Sequence, residues 1–137
     1  MSENAITGSC LCGSVRFEVT PPFGGFRYCH CVRCRKASGS AHAANLFLPR
    51  TQFRWIKGED SIKRFDMPDA KRFSVWFCGE CGSRVPHDIR TQENVLIPAG
   101  LLDSDPQMRP ESNIFWDSKA DWYMEPHEME RFSEYPK

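Results

Sequence analysis

Residues 28–42 read YCHCVRCRKASGSAH and place cysteines at 29, 31 and 34. Three thiols crowded into six residues are disulfide partners, iron–sulfur ligands or most of a zinc site. Neighbouring side chains in a C-x-C rarely reach disulfide geometry in a regular strand. The chain also has seven cysteines, an odd number that would leave one over in a complete disulfide framework. The other four fall into two tight pairs, Cys10 and Cys12 in SCLCGS (9–14) and Cys78 and Cys81 in FCGECGS (77–83). The second pair is a C-x2-C followed by glycine, the knuckle of zinc ribbons, in which Gly79 and Gly82 let the backbone turn around an ion. Clusters at ligand spacing point to metal rather than to seven inert thiols.

Zinc is bound by four ligands when its role is structural and by three protein ligands when one position is kept for water or substrate. Two pairs make a closed set of four, and the trio makes an open set of three, so every cysteine is used. Spacing alone does not say which pair joins which. His30 or His42 could complete the trio, and four thiolates could carry iron and sulfide, although C-x-C with C-x2-C suits zinc better. Charge separates the two roles. Four thiolates on Zn²⁺ leave a poor Lewis acid, whereas three leave a position where a thiol could bind and lose its proton. Arg33, Arg35 and Lys36 flank the trio, either as ordinary surface charge or as attraction for an anionic substrate.

The 137 residues are enough for one domain with its own core. Lys plus Arg and Asp plus Glu are both 18, so no global field draws the chain to nucleic acid. The first residues, MSENAITGSC, lack the basic and apolar regions of a secretory signal, and no apolar run is long enough for a membrane helix. The expectation is a soluble cytoplasmic protein whose cysteines stay reduced.

Alternating polarity predicts a strand at 14–20 (SVRFEVT), with Val15, Phe17 and Val19 on one face, and another at 71–77 (KRFSVWF), with Phe73, Val75 and Phe77 opposite Arg72, Ser74 and Trp76. ANLFL (44–48), QFRWI (52–56), SIKRF (61–65) and VLIPAG (95–100) are further short candidates. CVRCRKASG predicts one or two helical turns stopped by Gly39. SKADWYMEPHEMERF has some helical propensity but is interrupted by Pro126. Many short strands and few helices indicate a β-rich domain.

GSCLCGSVRFEV, CHCVRCRKASGS and FCGECGS, in this order and spacing, resemble the glutathione-dependent formaldehyde-activating enzyme family, also called centromere-protein-V-like, from about Thr7 to about Tyr123. The resemblance implies a mainly β fold: a single zinc-bound domain of short antiparallel strands, β-tent-like, over residues 5–125, with few short helices and a C-terminal tail at 126–137. It implies a structural zinc on Cys10, Cys12, Cys78 and Cys81 and a catalytic, more labile zinc on Cys29, Cys31 and Cys34. It also implies the joining of glutathione to formaldehyde, classed as a carbon–sulfur lyase after the reverse reaction. Asn113 stands where relatives often carry His, and Asp121 where Pro is common.

The expected function is a zinc-dependent carbon–sulfur lyase acting on an adduct of glutathione or another thiol, with His30 and His42 as candidate bases and Phe47, Trp55 and Trp76 as either pocket or core. The partner is then a small-molecule thiol, with no nucleic acid and no membrane. The rival is a non-catalytic zinc-stabilised binding module, and a weaker third reading is a thiol-based sensor. A fourth protein ligand at the trio would favour the module.

Overall fold

The structure, a computed structural model, describes residues 4–71, 73–89 and 93–136. Among them are ten short strands and one α-helix. Strands β1 (Ile6–Ser9), β2 (Arg16–Val19) and β5 (Phe53–Lys57) form an antiparallel sheet in the order β1-β2-β5. A second sheet runs β10-β3-β4-β9-β8, made of β3 (Gly25–Cys29), β4 (Ala43–Pro49), β8 (His87–Asp88), β9 (Asn94–Pro98) and β10 (Ser112–Ile114). Its pairings are antiparallel except that of β10 with β3. Strands β6 (Ile62–Asp66) and β7 (Ser74–Cys78) form a hairpin. The fold is mainly β, as the turn-punctuated sequence indicates.

The main core lies between the first two sheets. Ile6, Phe17, Val19, Phe26, Leu46, Leu48, Val95 and Ile97 interlock there. Phe17 and Val19 come from the alternating face of 14–20, and Val15 is buried too. Full burial of one such side chain stabilises by roughly 1.5–3 kcal/mol, and this core holds β3 and β4 still. β3 ends at Cys29, so the core fixes the base of the trio.

Helix α1 (Val32–Ser38) follows at once. Cys31 is its N-cap, with Sγ accepting from the Cys34 backbone N–H at 3.3 Å. Gly39 ends it in the left-handed region at φ 64°, its N–H donating to the Arg35 carbonyl at 2.8 Å. One turn of helix therefore brings Cys34 back over Cys29, the two packing with Ala43 beneath Phe73 and Ile114.

One expectation needs correction, and other elements lie outside what the sequence predicts. The strand expected at 71–77 is Ser74–Cys78, with Ser74 and Cys78 the buried residues; Arg72 lies outside the described residues. The alternation is real, but the Ser74–Trp76–Cys78 face turns inward, because Cys78 and Trp76 pack with Cys10, Val15 and Val85 in a second core. The segment after Lys119 forms no α-helix: it holds a 3-10 turn at Pro126–Glu128, and residues 126–136 are exposed. Pro126 has no N–H to continue a helix, and no apolar face is buried to offset the ordering cost. Finally, β1, β3, β8 and β10 lie outside the expected strands. β10 has no apolar alternation; it exists because β3 offers it a free edge, and the chain beyond β3 adds the bond from the His30 N–H to the Ile114 carbonyl at 3.0 Å.

Candidate metal centres and the cleft beside them

The sulfurs gather in two places. Cys10, Cys12, Cys78 and Cys81 form one group, and Cys29, Cys31 and Cys34 the other, the sulfurs within each lying inside 4.8 Å of one another. All seven are free thiols. In the first group, Cys10 Sγ and Cys12 Sγ are 3.7 Å apart, and Cys12 Sγ and Cys78 Sγ 3.9 Å. Four sulfurs at the ~2.3 Å metal–sulfur distance of a tetrahedral zinc stand about 3.8 Å apart, while a disulfide needs about 2.05 Å. The spacing fits a thiolate-bound metal and not a bridge.

Local backbone builds that geometry. Each cysteine pair is followed by a glycine in the left-handed region, Gly13 at φ 81° and Gly82 at φ 80°, which turns the chain back around the sulfurs. Backbone N–H groups of Val15 and Glu80 donate to Cys10 Sγ and Cys78 Sγ, each at 3.3 Å. Such donors stabilise negative sulfur. Hydrogen bonds from Ser83, first its hydroxyl and then its N–H, bring the Cys81 thiol down to about 5. Ser14 lowers Cys12 in the same way.

The trio differs in access. Among the described residues, no histidine or carboxylate joins its three sulfurs within the same radius. Cys29 is brought down to about 6, chiefly by a hydrogen bond from Cys34, while that same bond, with burial, pushes Cys34 up. The trio's thiols titrate as one coupled group, with the proton more easily lost on the Cys29 side than on the Cys34 side. All three cysteines line an open cleft of about 530 Å³, with Val32, Arg33, Ala70, Lys71, Phe73 and Phe115. Its walls are apolar and its formal charges, among the described residues, are the cations Arg33 and Lys71.

The histidines lie elsewhere. His30 is fully buried in an aromatic cage, 4.9 Å from the His42 ring, 5.0 Å from Trp116 and 5.2 Å from Tyr123. Its Nε2 lies 2.9 Å from Asn113 Oδ1, which only accepts, so Nε2 carries the proton. Neither His30 nor His42 is among the described lining of the cleft, so neither faces a substrate there. Trp55 and Trp76 pack into the cores rather than the cleft, and Phe47 lies under the Arg27 guanidinium at 5.2 Å. Of the three cations flanking the trio in sequence, Arg33 reaches the cleft, while Arg35 donates to the Ser118 carbonyl at 3.2 Å. Lys36 lines a neighbouring apolar groove.

Two contributors escaped the sequence. Phe115 sits at the cleft mouth in the left-handed region, at φ 54° and ψ 42°, and no pattern in NIFWD announces it. Arg84 stands close enough to the trio that the charges of Cys34, Cys29 and Cys31 act on it, although burial is the larger influence and lowers its pKa. Its place three residues after the C-x2-C pair is the only signal the chain carries.

The model of the glutathione-dependent formaldehyde-activating enzyme family matches residues 5–118. The chain belongs to that family. A Halomonas elongata protein named "Putative glutathione-dependent formaldehyde-activating enzyme" is 33% identical over 143 aligned positions, covering 96% of this chain and 88% of its own. A Rhodobacter sphaeroides protein solved by structural genomics has the same fold with a TM-score of 0.58 and 27% identity, over 78% of this chain and 97% of that one. Membership in the formaldehyde-activating family makes a thiol small molecule the natural partner class. Among the described residues, no helix is long and apolar enough to cross a membrane.

Proposed function

We propose that the chain joins a small aldehyde to a thiol, glutathione being the thiol that the family description names, and runs the reverse reaction as a carbon–sulfur lyase. The observation that carries this reading is the inequality of the two sulfur groups. One is a set of four, packed with Val15 and Val85. The other is a set of three at the floor of an open cleft. We assign a structural zinc to Cys10, Cys12, Cys78 and Cys81 and a catalytic zinc to Cys29, Cys31 and Cys34, two per chain. Zinc at the trio would supply Lewis acidity to a thiol or carbonyl oxygen at neutral pH.

The protein's own residues do the rest. Arg33 and Lys71 draw the carboxylates of glutathione to the cleft. Val32, Phe73 and Phe115 give its methylene stem an apolar wall. Holding sulfur and aldehyde together as one complex lowers the entropic part of the barrier. The reduced cysteines suit the cytoplasm, where we place the protein. No nucleic-acid or membrane partner enters this reading.

The test combines metal counting with turnover. Wild type is expected to hold two zinc ions and to form S-hydroxymethylglutathione from glutathione and formaldehyde. Cys31→Ala is expected to hold about one, to stay folded and to lose at least a hundredfold in kcat/KM. A Cys31→Ala variant with full zinc and full activity would end the reading. Wild type with two zincs and no turnover of any thiol–aldehyde pair would favour the binding module.

A further inference from the structure

A second, smaller cavity, of about 200 Å³, adjoins the cleft. Cys34 and Phe73 line both, so the two spaces meet at a residue of the trio. Its lining also includes Asn45, Arg84, His87 and Leu96. Three of these hold a buried polar atom with no hydrogen-bond partner among the described residues: Arg84 Nε, Asn45 Oδ1 and His87 Nδ1. Asn45 is 5% exposed and His87 6%. Folded proteins leave few such atoms unpaired, and three on residues that line one small space favour a polar guest there.

Charge narrows the guest. Arg84 is the formal cation among the described lining residues, and no carboxylate is found there. His87 is held neutral, its pKa brought down to about 4 by burial and then by Arg84 and Arg64. A cation is repelled by Arg84, and a full anion would face the neighbouring thiolates of the trio. The volume equals about six or seven waters, too small for a peptide thiol. A neutral, polarisable oxygen on a short carbon frame satisfies all of these conditions. Its oxygen can accept from the guanidinium while its carbons rest against Leu96 and Phe73.

We propose that this smaller cavity seats the small carbonyl substrate, an aldehyde of one to a few carbons, with its oxygen on the Arg84 side and its carbon toward Cys34. The assignment rests on the function proposed above and adds a second, separate subsite to it. The thiol's sulfur arrives from the outer cleft and attacks the carbonyl carbon where the two spaces meet, at Cys34 and Phe73. A C–S bond forms, the C=O π pair moves onto oxygen, and the proton given up by the thiol returns to that oxygen. Arg84 stays protonated throughout and holds the developing alkoxide by charge-assisted hydrogen bonding. In reverse, the hydroxyl proton leaves, the C=O bond re-forms and the C–S pair returns to sulfur.

The experiment uses acetamide, an unreactive carbonyl of suitable size, with Leu96→Phe to fill the cavity and Arg84→Met to remove its donor. Saturation transfer from zinc-loaded protein to the acetamide methyl is expected in wild type and absent in both variants. With formaldehyde, both variants should show at least a tenfold higher aldehyde KM, with the thiol KM within twofold and zinc content unchanged. Should Arg84→Met lose zinc, Leu96→Phe decides, since it leaves every polar group in place. Absence of transfer in wild type, or its survival in Leu96→Phe, overturns the proposal. Transfer that vanishes in Leu96→Phe, in a protein that turns over no thiol–aldehyde pair, upholds the carbonyl subsite and overturns the function.

Discussion

A single bulky residue in the wrong backbone region shows what the cleft demands. Phe115 at φ 54° holds a conformation that costs a side-chain-bearing residue roughly 1–2 kcal/mol. Its ring is 63% exposed, so core packing does not repay the strain. Phe115→Gly should therefore raise thermal stability by a few degrees while removing a wall of the cleft, so that the thiol KM rises severalfold. A melting curve and a KM measurement on the same variant check both halves. His87 gives a second residue-scale expectation. Its folded pKa of about 4 lies below the ordinary value of 6.5, so between these two values the unfolded chain binds the extra proton. Stability from this residue is whole above pH 6.5 and is lost progressively as pH falls toward 4, by roughly 3 kcal/mol at most. The imidazole signals of His87 should show no titration above about pH 5, and His87→Gln should flatten the stability slope in that window.

At the scale of elements, legibility followed what each element owes to its own residues. Helix α1 was readable because Cys31 and Gly39 cap it locally. β2, β4, β5, β6 and β9 were readable because apolar residues alternate or cluster along them. β10 was not, since SNI has no such pattern and its hydrogen bonds come from a strand more than eighty residues earlier. The grouping of cysteines was legible as ligand spacing, whereas the cleft was not, because its walls combine α1 with Lys71 and Phe73 from the β6–β7 connection and Phe115 from beyond β10. The histidines misled for a related reason. His30 sits between two of the cysteines in sequence, yet it points into the aromatic cage that β10 closes. β10 should therefore matter well beyond its length. A chain ending at 125 loses, among the described residues, only exposed ones and is expected to keep its melting temperature within about 2 °C. A chain ending at 111 loses β10, Asn113 and Trp116, and should fail to hold the trio's metal.

For the whole molecule the two sulfur groups predict an order of metal loss. Protons compete with metal for sulfur, so a site whose thiols resist ionisation releases its ion first on acidification. In the trio, Cys34 is pushed above the ordinary thiol value and Cys29 lowered only to about 6. In the group of four, Cys81 is lowered to about 5 and Cys12 is lowered too, although Cys78 is raised. The larger group also has one more sulfur and a packed apolar surround. As pH is stepped down from 8, the first zinc equivalent should therefore appear with the native fold intact, beginning near pH 6. The second should appear at lower pH together with loss of tertiary structure, because Cys10 and Cys78 tie the end of β1 to the end of β7 within the second core. A chromogenic chelator read beside near-ultraviolet circular dichroism separates the steps. In Cys31→Ala the first step should vanish and the second stay where it is. Simultaneous release of both equivalents, in wild type and variant alike, would mean that the two sites share one stability and that the open trio is not the weaker cage.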